Sequence, residues 1–460
     1  MNESSPGINP ANPLGLKRLA KDSMINFLRQ GYSILFALII SILLARGLGK
    51  EARGIYALCL LVPEILITFL NLGINVSSVY FISRQEFPAE YVVRQNASLA
   101  NWISILAIGL GYVTIILIGP WAFPEIPRNY LLLSLLIVPV NLHVNVMTSI
   151  FQGLQDFRSY NIPGMLNQAV MLGMVLLLIW VFKIGVVGAI LSYLFGALIS
   201  LVSLIILVRF KIGNNFLIPF LPDGNYIRHI IRYGILAHLS NLLGFLSYRI
   251  DNFILMKVTG PAAVGIYAIA VSLGERLWLP TNAISSALFP RIASLYEEGE
   301  KQNTITPIVA RIVFWLTLPL AFGFGFISYW LIPLIYGQEF APSVYPFLGI
   351  LPGIIMLNIG KIISNDLAGR GKVGLNLVIT GIGFVVNLIS NFTLIPRFGP
   401  LGAAVSSTIS YSLVTCISLI NYCRITSSPW RKVLLLQKTD LQLIKQTTSL
   451  ILTRFGFTNS

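Results

Sequence analysis

The stretch Gly54-Ile-Tyr-Ala-Leu-Cys-Leu-Leu-Val-Pro-Glu64 returns 211 residues further on as Gly265-Ile-Tyr-Ala-Ile-Ala-Val-Ser-Leu-Gly-Glu275. Both copies are apolar, and both end on a glutamate. At the same offset Asn71 falls on Asn282 and Asn75 on Ser286, while at 214 Gly185, Gly188, Ala189 and Ser192 fall on Gly399, Gly402, Ala403 and Ser406. Two matches at nearly one offset describe a chain built from two copies of one unit. The surrounding sequence is 55% hydrophobic and 11% charged, with a mean hydropathy of +0.79. Soluble domains carry about 25% charged residues. A chain this poor in charge cannot coat itself with polar surface, so much of its exterior must face lipid.

Runs of about 20 apolar residues suffice to cross a hydrocarbon core of about 30 Å. Twelve are expected, at 25–46, 55–81, 98–119, 129–151, 161–182, 185–208, 230–257, 262–289, 308–333, 344–366, 373–395 and 399–423. Loop chemistry such as Gly119-Pro120, Pro222 and Gly399-Pro400 marks the breaks. The reading is an all-α polytopic membrane protein. It divides into a tail (1–24), a six-helix lobe (25–208), a linker (209–229), a second six-helix lobe (230–423) and a basic tail (424–460). Six helices per unit keep the repeats parallel, related by an axis along the membrane normal, an architecture of transporters.

An even span count puts both termini on one side. With Arg249, Arg276 and Lys361 left out as lying deep in spans, that side holds 22 Lys and Arg and the other 7. The bias predicts cytoplasmic termini. It also explains the net charge of +15 as topology, so no nucleic-acid partner is expected. Residues 1–23 lack an apolar core followed by a small-residue cleavage site, so no removable signal peptide is expected. Cys59, Cys416 and Cys423 sit in apolar runs and read as small buried hydrophobes. His143, His229 and His238 are too scattered to build a metal site with them, and neither metal nor cofactor is expected.

A charge at the bilayer centre costs about 2.5–3.5 kcal/mol even on insertion scales. Glu64, Arg249, Asp251, Glu275, Arg276 and Lys361 all fall within expected spans, so they should line a wet cavity or pair with one another. Glu64, Thr68, Asn71, Asn75 and Ser78 step by three and four, a polar stripe on one helix face. Ser272, Glu275, Asn282 and Ser286 repeat it. One face of the seventh helix presents His238, Asn241, Tyr248, Arg249 and Asn252; Asp251 points away and either joins the cavity or pairs between helices. The fourth helix offers Asn141, Asn145, Thr148 and Gln152, and the tenth Asn358, Lys361 and Asn365. Each amide or hydroxyl could instead be interhelical glue. Arg29 either snorkels to the interface or stands at a cavity mouth. Glu64, Asp251 and Glu275 are the candidates for ion coupling, and Glu64 and Glu275 could equally neutralise an arginine.

The run Tyr248-Arg-Ile-Asp-Asn-Phe-Ile-Leu-Met-Lys-Val-Thr-Gly260, continuing through Gly265-Ile-Tyr-Ala268 to Leu288-Phe-Pro-Arg-Ile-Ala-Ser294, resembles the bacterial polysaccharide transporter family. Leu44-Ala-Arg-Gly-Leu-Gly49 followed by Gly54-Ile-Tyr-Ala57 is similar to that family's first hairpin. The likeness spans about residues 20–424 and rests on Gly, Tyr, Asp and Pro patterns. These proteins are flippases for O-antigen and related lipid-linked oligosaccharides. They share a superfamily, the multidrug/oligosaccharidyl-lipid/polysaccharide exporters, with multidrug and toxin extrusion transporters. The resemblance implies a V-shaped pair of lobes in the bacterial plasma membrane around a central cavity. It also implies outward movement of an undecaprenyl-pyrophosphate-linked glycan by alternating access, in partnership with a polymerase and glycosyltransferases.

Arg29, Arg249, Arg276 and Lys361 suit the pyrophosphate, arginine best because its fork binds bidentately. The amide and hydroxyl stripes suit sugar hydroxyls. A cation-coupled drug antiporter of the same fold is the competing reading, kept open by Glu64 and Glu275. An enzyme of glycan assembly is disfavoured: the longest expected outer loops carry one carboxylate each, Glu125 and Glu339, and no metal or nucleotide motif is present.

Overall fold

The computed structural model describes residues 13–213, 220–278, 281 and 299–437; within these, the side chains of 13–30, 34, 237 and 299–305 are not described. The Arg29 side chain, Asn282, Ser286 and the tail beyond 437 therefore lie outside the described residues.

Among the described residues the secondary structure is helical, without strands. The first repeat comprises α1 (Pro13–Leu70), α2 (Ile74–Ser83), α3 (Ala89–Leu117), α4 (Gly119–Ala122), α5 (Arg128–Ser134), α6 (Ile137–Gly153), α7 (Phe157–Val175, prolonged by the π-helical turn Leu176–Val181) and α8 (Val186–Lys211). The second comprises α9 (Gly224–Thr259), α10 (Pro261–Arg276), α11 (Gly299–Tyr336), α12 (Val344–Gly369), α13 (Val373–Phe398) and α14 (Pro400–Thr426). A short α15 (Trp430–Leu434) follows. α9 begins at Gly224, earlier than the expected linker end, because Asp223 caps it by accepting from the Asn225 N–H at 2.9 Å.

Nine helices of the described residues are long and apolar enough to cross a membrane. They become ten if Gly224–Leu236 and His238–Thr259, bent by 50°, count as one span. The difference from twelve has a local cause. α1 is assigned as one helix of 58 residues, yet Gly49 inside it has φ 76° and ψ 173°. Unbroken, it would run about 87 Å, far beyond a bilayer core. Gly49 divides it into 13–48 and 50–70, which overlap the first two expected spans, although the second segment stops at Leu70, short of the expected end at 81. The eighth expected span leaves the described residues after Trp278.

The duplication is written in the backbone. Gly260, the equivalent of Gly49 at the 211 offset, has φ 85° and ψ 178°. Gly185 (φ 67°, ψ −136°) and Gly399 (φ 56°, ψ −130°) stand at the starts of α8 and α14. These conformations belong to glycine, so the repeat keeps its glycines where the chain turns.

The repeats also touch reciprocally. A Cβ at Gly54 would stand 1.8 Å from the Pro261 carbonyl oxygen and 2.9 Å from the Gly265 nitrogen. A Cβ at Gly265 would stand 2.0 Å from the Lys50 carbonyl oxygen and 3.1 Å from the Gly54 nitrogen. Lys50 and Pro261 are themselves equivalents, so the contact reads the same from either side, as a local two-fold demands. The same relation holds nearby. Arg46 donates to the carbonyls of Leu334 and Ile335 at the end of α11, the latter at 2.7 Å. Its equivalent Lys257 donates to the Trp121 carbonyl in α4 and lies 4.3 Å from that indole. Each cation thus caps a helix end of the other repeat.

Further ties position the walls. Asp156 caps α7, accepting from the Ser159 N–H at 3.1 Å and its hydroxyl at 2.8 Å, and pairs with Lys211 at the end of α8. Burial pushes its carboxyl up, but Lys211 and Ser159 outweigh burial and hold it at about 2. α15 docks on α11 through the Trp315 indole N–H, which donates to Leu434 at 3.0 Å.

Because the Gly54–Gly265 contact is backbone on backbone, Gly54→Ala and Gly265→Ala should each destabilise by about 1–3 kcal/mol, the ordinary cost of overpacking. Gly109→Ala, with nothing within 4 Å of its Cβ position, should stay within about 0.5 kcal/mol of wild type. Thermal unfolding of the solubilised protein reads both.

Candidate functional site

Past the Gly54–Gly265 contact, α1 and α10 continue inward as the equivalent stretches that end in Glu64 and Glu275. With parts of α7, α8 and α9 they enclose a cavity of about 390 Å³. Its charged lining residues are Arg53, Glu64, Arg249, Glu275 and Arg276. Arg249 Nε donates to Glu64 Oε2 at 3.2 Å, and Arg249 Nη1 lies 3.6 Å from Glu275 Oε1. One arginine therefore stands between two carboxylates that are the same position in the two repeats. The symmetry stops there, since the position equivalent to Arg249 is Leu38. All three side chains keep 30–42% exposure, so the cluster sits on a wall that small molecules can reach.

The neutralisation is incomplete. Three guanidinium groups meet two carboxylates, and Arg249 is the one held between them. Arg53 leans on the Tyr56 ring at 5.3 Å, and its buried Nε has no hydrogen-bond partner among the described residues. A wall with surplus guanidinium groups in a medium of low dielectric suits a multiply charged anion. Asn167, Gln168 and Tyr193 add neutral polar groups from α7 and α8. Gln168 is anchored by donating to Ser33 at 2.8 Å, and Tyr193 accepts from Asn141 at 3.0 Å.

Lys361 is not in this cavity. It lines a second one, of about 410 Å³, enclosed by α9, α12, α13 and α14 within the second repeat. Asn241, Tyr248 and Asn365 line it too, and Lys361 Nζ stands 3.9 Å from the Trp278 ring centroid. The expected single group of Arg249, Arg276 and Lys361 is thus split between two cavities. Tyr248, on the wall of the second cavity, packs beside Trp278 with their rings 5.4 Å apart.

The other expected site residues separate in the same way. Asn252 lines the first cavity, and its buried Oδ1 has no hydrogen-bond partner among the described residues. Asn71 and Asn75 do not line it. The stripe through Glu64 was read on one continuous helix, but the helix ends at Leu70 and the chain turns at Leu72 (φ 47°) and Gly73 (φ 81°), which takes Asn75 off the face. Asn145 and Gln152 are exposed on α6 outside both walls. Asn358 is buried glue, donating to the Leu277 carbonyl at 3.2 Å and Thr317 at 3.4 Å. Asp251 pairs between helices: it accepts from the Tyr267 hydroxyl and, at 3.3 Å, from Ser407.

Arg53, Asn167, Gln168 and Tyr193 escaped the sequence reading. Arg53 was counted as an outer-loop charge, although it directly precedes the repeated Gly-Ile-Tyr-Ala. Asn167 and Gln168 did carry a signal, two adjacent amides inside an apolar span. Among the described residues no group of three His, Cys, Asp or Glu could hold a metal ion.

The family model described as polysaccharide biosynthesis protein matches residues 19–296, and a second model, MatE, matches 237–393. An uncharacterized membrane protein of Methanocaldococcus jannaschii is 26% identical over 88% of this chain and 98% of its own length. A putative O-antigen transporter of Shigella flexneri is 21% identical over 89% of this chain and 99% of its own. Among solved structures, the lipid II flippase MurJ in an inward closed conformation superposes with a TM-score of 0.72 at 14% identity, over 95% of this chain and 94% of that one. That likeness establishes the fold. With more than half of its length matched by the first model, this multi-span membrane protein belongs to the polysaccharide biosynthesis protein family.

Proposed function

We propose that the protein moves an undecaprenyl-pyrophosphate-linked oligosaccharide from the cytoplasmic to the outer leaflet of the cell membrane by alternating access. In this reading twelve spans form two six-helix lobes, both termini are cytoplasmic, and the contact between Gly54 and Gly265 closes the outer face. The observation that carries it is the surplus of guanidinium groups on the cavity wall between the repeats, which suits a pyrophosphate and disfavours a cationic drug. Similarity to a putative O-antigen transporter supports the same substrate class. The lipid tail stays in the bilayer while the head group enters. Arg53 and Arg276 offer charge to the pyrophosphate, and Arg249 can leave Glu64 or Glu275 for a better anion. Neighbouring glycosyltransferases would supply the substrate and a polymerase would consume it.

The antiporter alternative draws on the MatE match, which covers 237–393. It requires Glu64 and Glu275 to exchange cations, and both stand against Arg249 instead. Their geometry favours the counter-charge role over ion coupling, and Asp251 lies behind Tyr267 and Ser407.

Arg276→Gln should lower surface-glycan export about tenfold or more while unfolding temperature stays near wild type, because charge-assisted bonds to the anion are lost. Arg249→Gln should lower both, since it leaves two carboxylates facing each other. Adding Glu64→Gln and Glu275→Gln to it should restore stability without restoring export. Wild-type export from Arg249→Gln and Arg276→Gln alike would overturn the reading. A C-terminal phosphatase reporter active only outside the cytoplasm should be silent; activity there would overturn the twelve-span topology.

A further inference from the structure

The second cavity differs in kind from the first. Its wall has amides and hydroxyls on four helices, among them Asn241, Asn365, Asn376, Thr380 and Ser410, with Lys361 the charged residue among them. Among the described residues no carboxylate lines it, and Glu275, on the wall of the first cavity, acts on Lys361 electrostatically. The buried Ser240 Oγ and Asn376 Oδ1 on this wall have no hydrogen-bond partner among the described residues. Buried polar atoms seek partners, and leaving them unpaired costs about 1–3 kcal/mol each. Tyr248 and Tyr411, with rings 5.6 Å apart, give the wall an aromatic side. Hydroxyl and amide groups beside aromatic rings are the chemistry that holds a sugar. Lys361 adds a positive charge to this wall, and Glu275, within its electrostatic reach, is shared with Arg249.

The position fits the same substrate. Tyr248 lines this cavity and Arg249 the first, so consecutive residues of α9 face the two spaces. A group in the second cavity would lie about one side chain from the arginine cluster, where the sugars next to a pyrophosphate must fall. The first repeat has no match for Lys361: at offsets of 211 and 214 the equivalents are Ile150 and Met147. A scaffold lysine required by the fold would be expected in both copies.

Resting on the pyrophosphate reading of the first cavity, we infer that the second cavity is a carbohydrate subsite that selects, through Lys361, a glycan bearing a carboxylated sugar close to the pyrophosphate. Asn241, Asn365 and Asn376 bond the neutral hydroxyls, and Lys361 Nζ takes the carboxylate as a charge-assisted partner.

The test uses full-length protein in lipid nanodiscs and three probes: undecaprenyl pyrophosphate, the same lipid bearing N-acetylglucosamine, and that lipid extended by one glucuronic acid. Wild type should bind the glucuronate probe about tenfold more tightly than the neutral sugar probe, the worth of one charge-assisted hydrogen bond. Lys361→Gln should erase that preference while keeping the neutral probe within about twofold, and Lys361→Arg should preserve it. No preference in wild type, or a preference that survives Lys361→Gln, would overturn the assignment. So would equal weakening of all three probes, which would place Lys361 in the pyrophosphate site or the fold. Failure of the sugar-free lipid to bind wild type would instead sink the pyrophosphate reading, and this inference with it.

Discussion

A guanidinium group inside a membrane must be answered by opposite charge or by water, because the hydrocarbon offers it neither. Arg249 is answered by Glu64 at 3.2 Å and Glu275 at 3.6 Å, one from each repeat. The remaining architecture serves that arrangement. The glycines at 49 and 260 turn the chain so that α10 and the second part of α1 run side by side, and Gly54 and Gly265 let their backbones meet. Only then do the two equivalent glutamates converge on one arginine. Removing the arginine would leave two carboxylates in a poorly screened site, which is costlier than leaving the site uncharged altogether.

Duplication supplies symmetry, and function requires departures from it. The glycine turns and the glutamates are kept in both copies, and the cross-repeat caps keep a cation, Arg46 in one and Lys257 in the other. These are parts that hold the halves together. The cations that face the two cavities are not kept. Arg249 stands where the first repeat has Leu38, and Lys361 where it has Ile150 or Met147. A transporter built from equal halves can close on either face. The substrate proposed for it, a lipid with a charged head at one end, has no such symmetry, and a lopsided wall suits it.

Much of this was legible in the sequence because it is local or periodic. Apolar runs marked the helices long enough to span, nine of them among the described residues, and the 211-residue offset marked the paired glycine turns at 49 and 260. The cost of buried charge marked Glu64, Arg249, Glu275 and Arg276 for one cavity, where the structure places them. What was not legible depended on local breaks and on distance between helices. The stripe Glu64, Asn71, Asn75 assumed a helix that does not turn at Leu72 and Gly73. Lys361 was grouped with the arginines because depth can be read from sequence, whereas which cavity a side chain lines cannot. Arg53 looked like an outer charge, since span ends cannot be set more finely than a turn or two. Asp251 kept both of its readings until Tyr267 and Ser407 were found against it.

The central claim is that this cavity carries a pyrophosphate-linked sugar across the bilayer, and the most direct measurement is transbilayer movement itself. Purified protein is reconstituted in sealed vesicles with undecaprenyl pyrophosphate bearing a labelled sugar. A reagent that cannot cross the membrane then reports which labels reach the outer surface. The account predicts that protein-containing vesicles expose the inner-leaflet label far faster than empty ones. It also predicts that soluble pyrophosphate slows this exposure by competing for the arginines. Equal exposure with and without protein, in vesicles where the protein is folded and inserted, would contradict it.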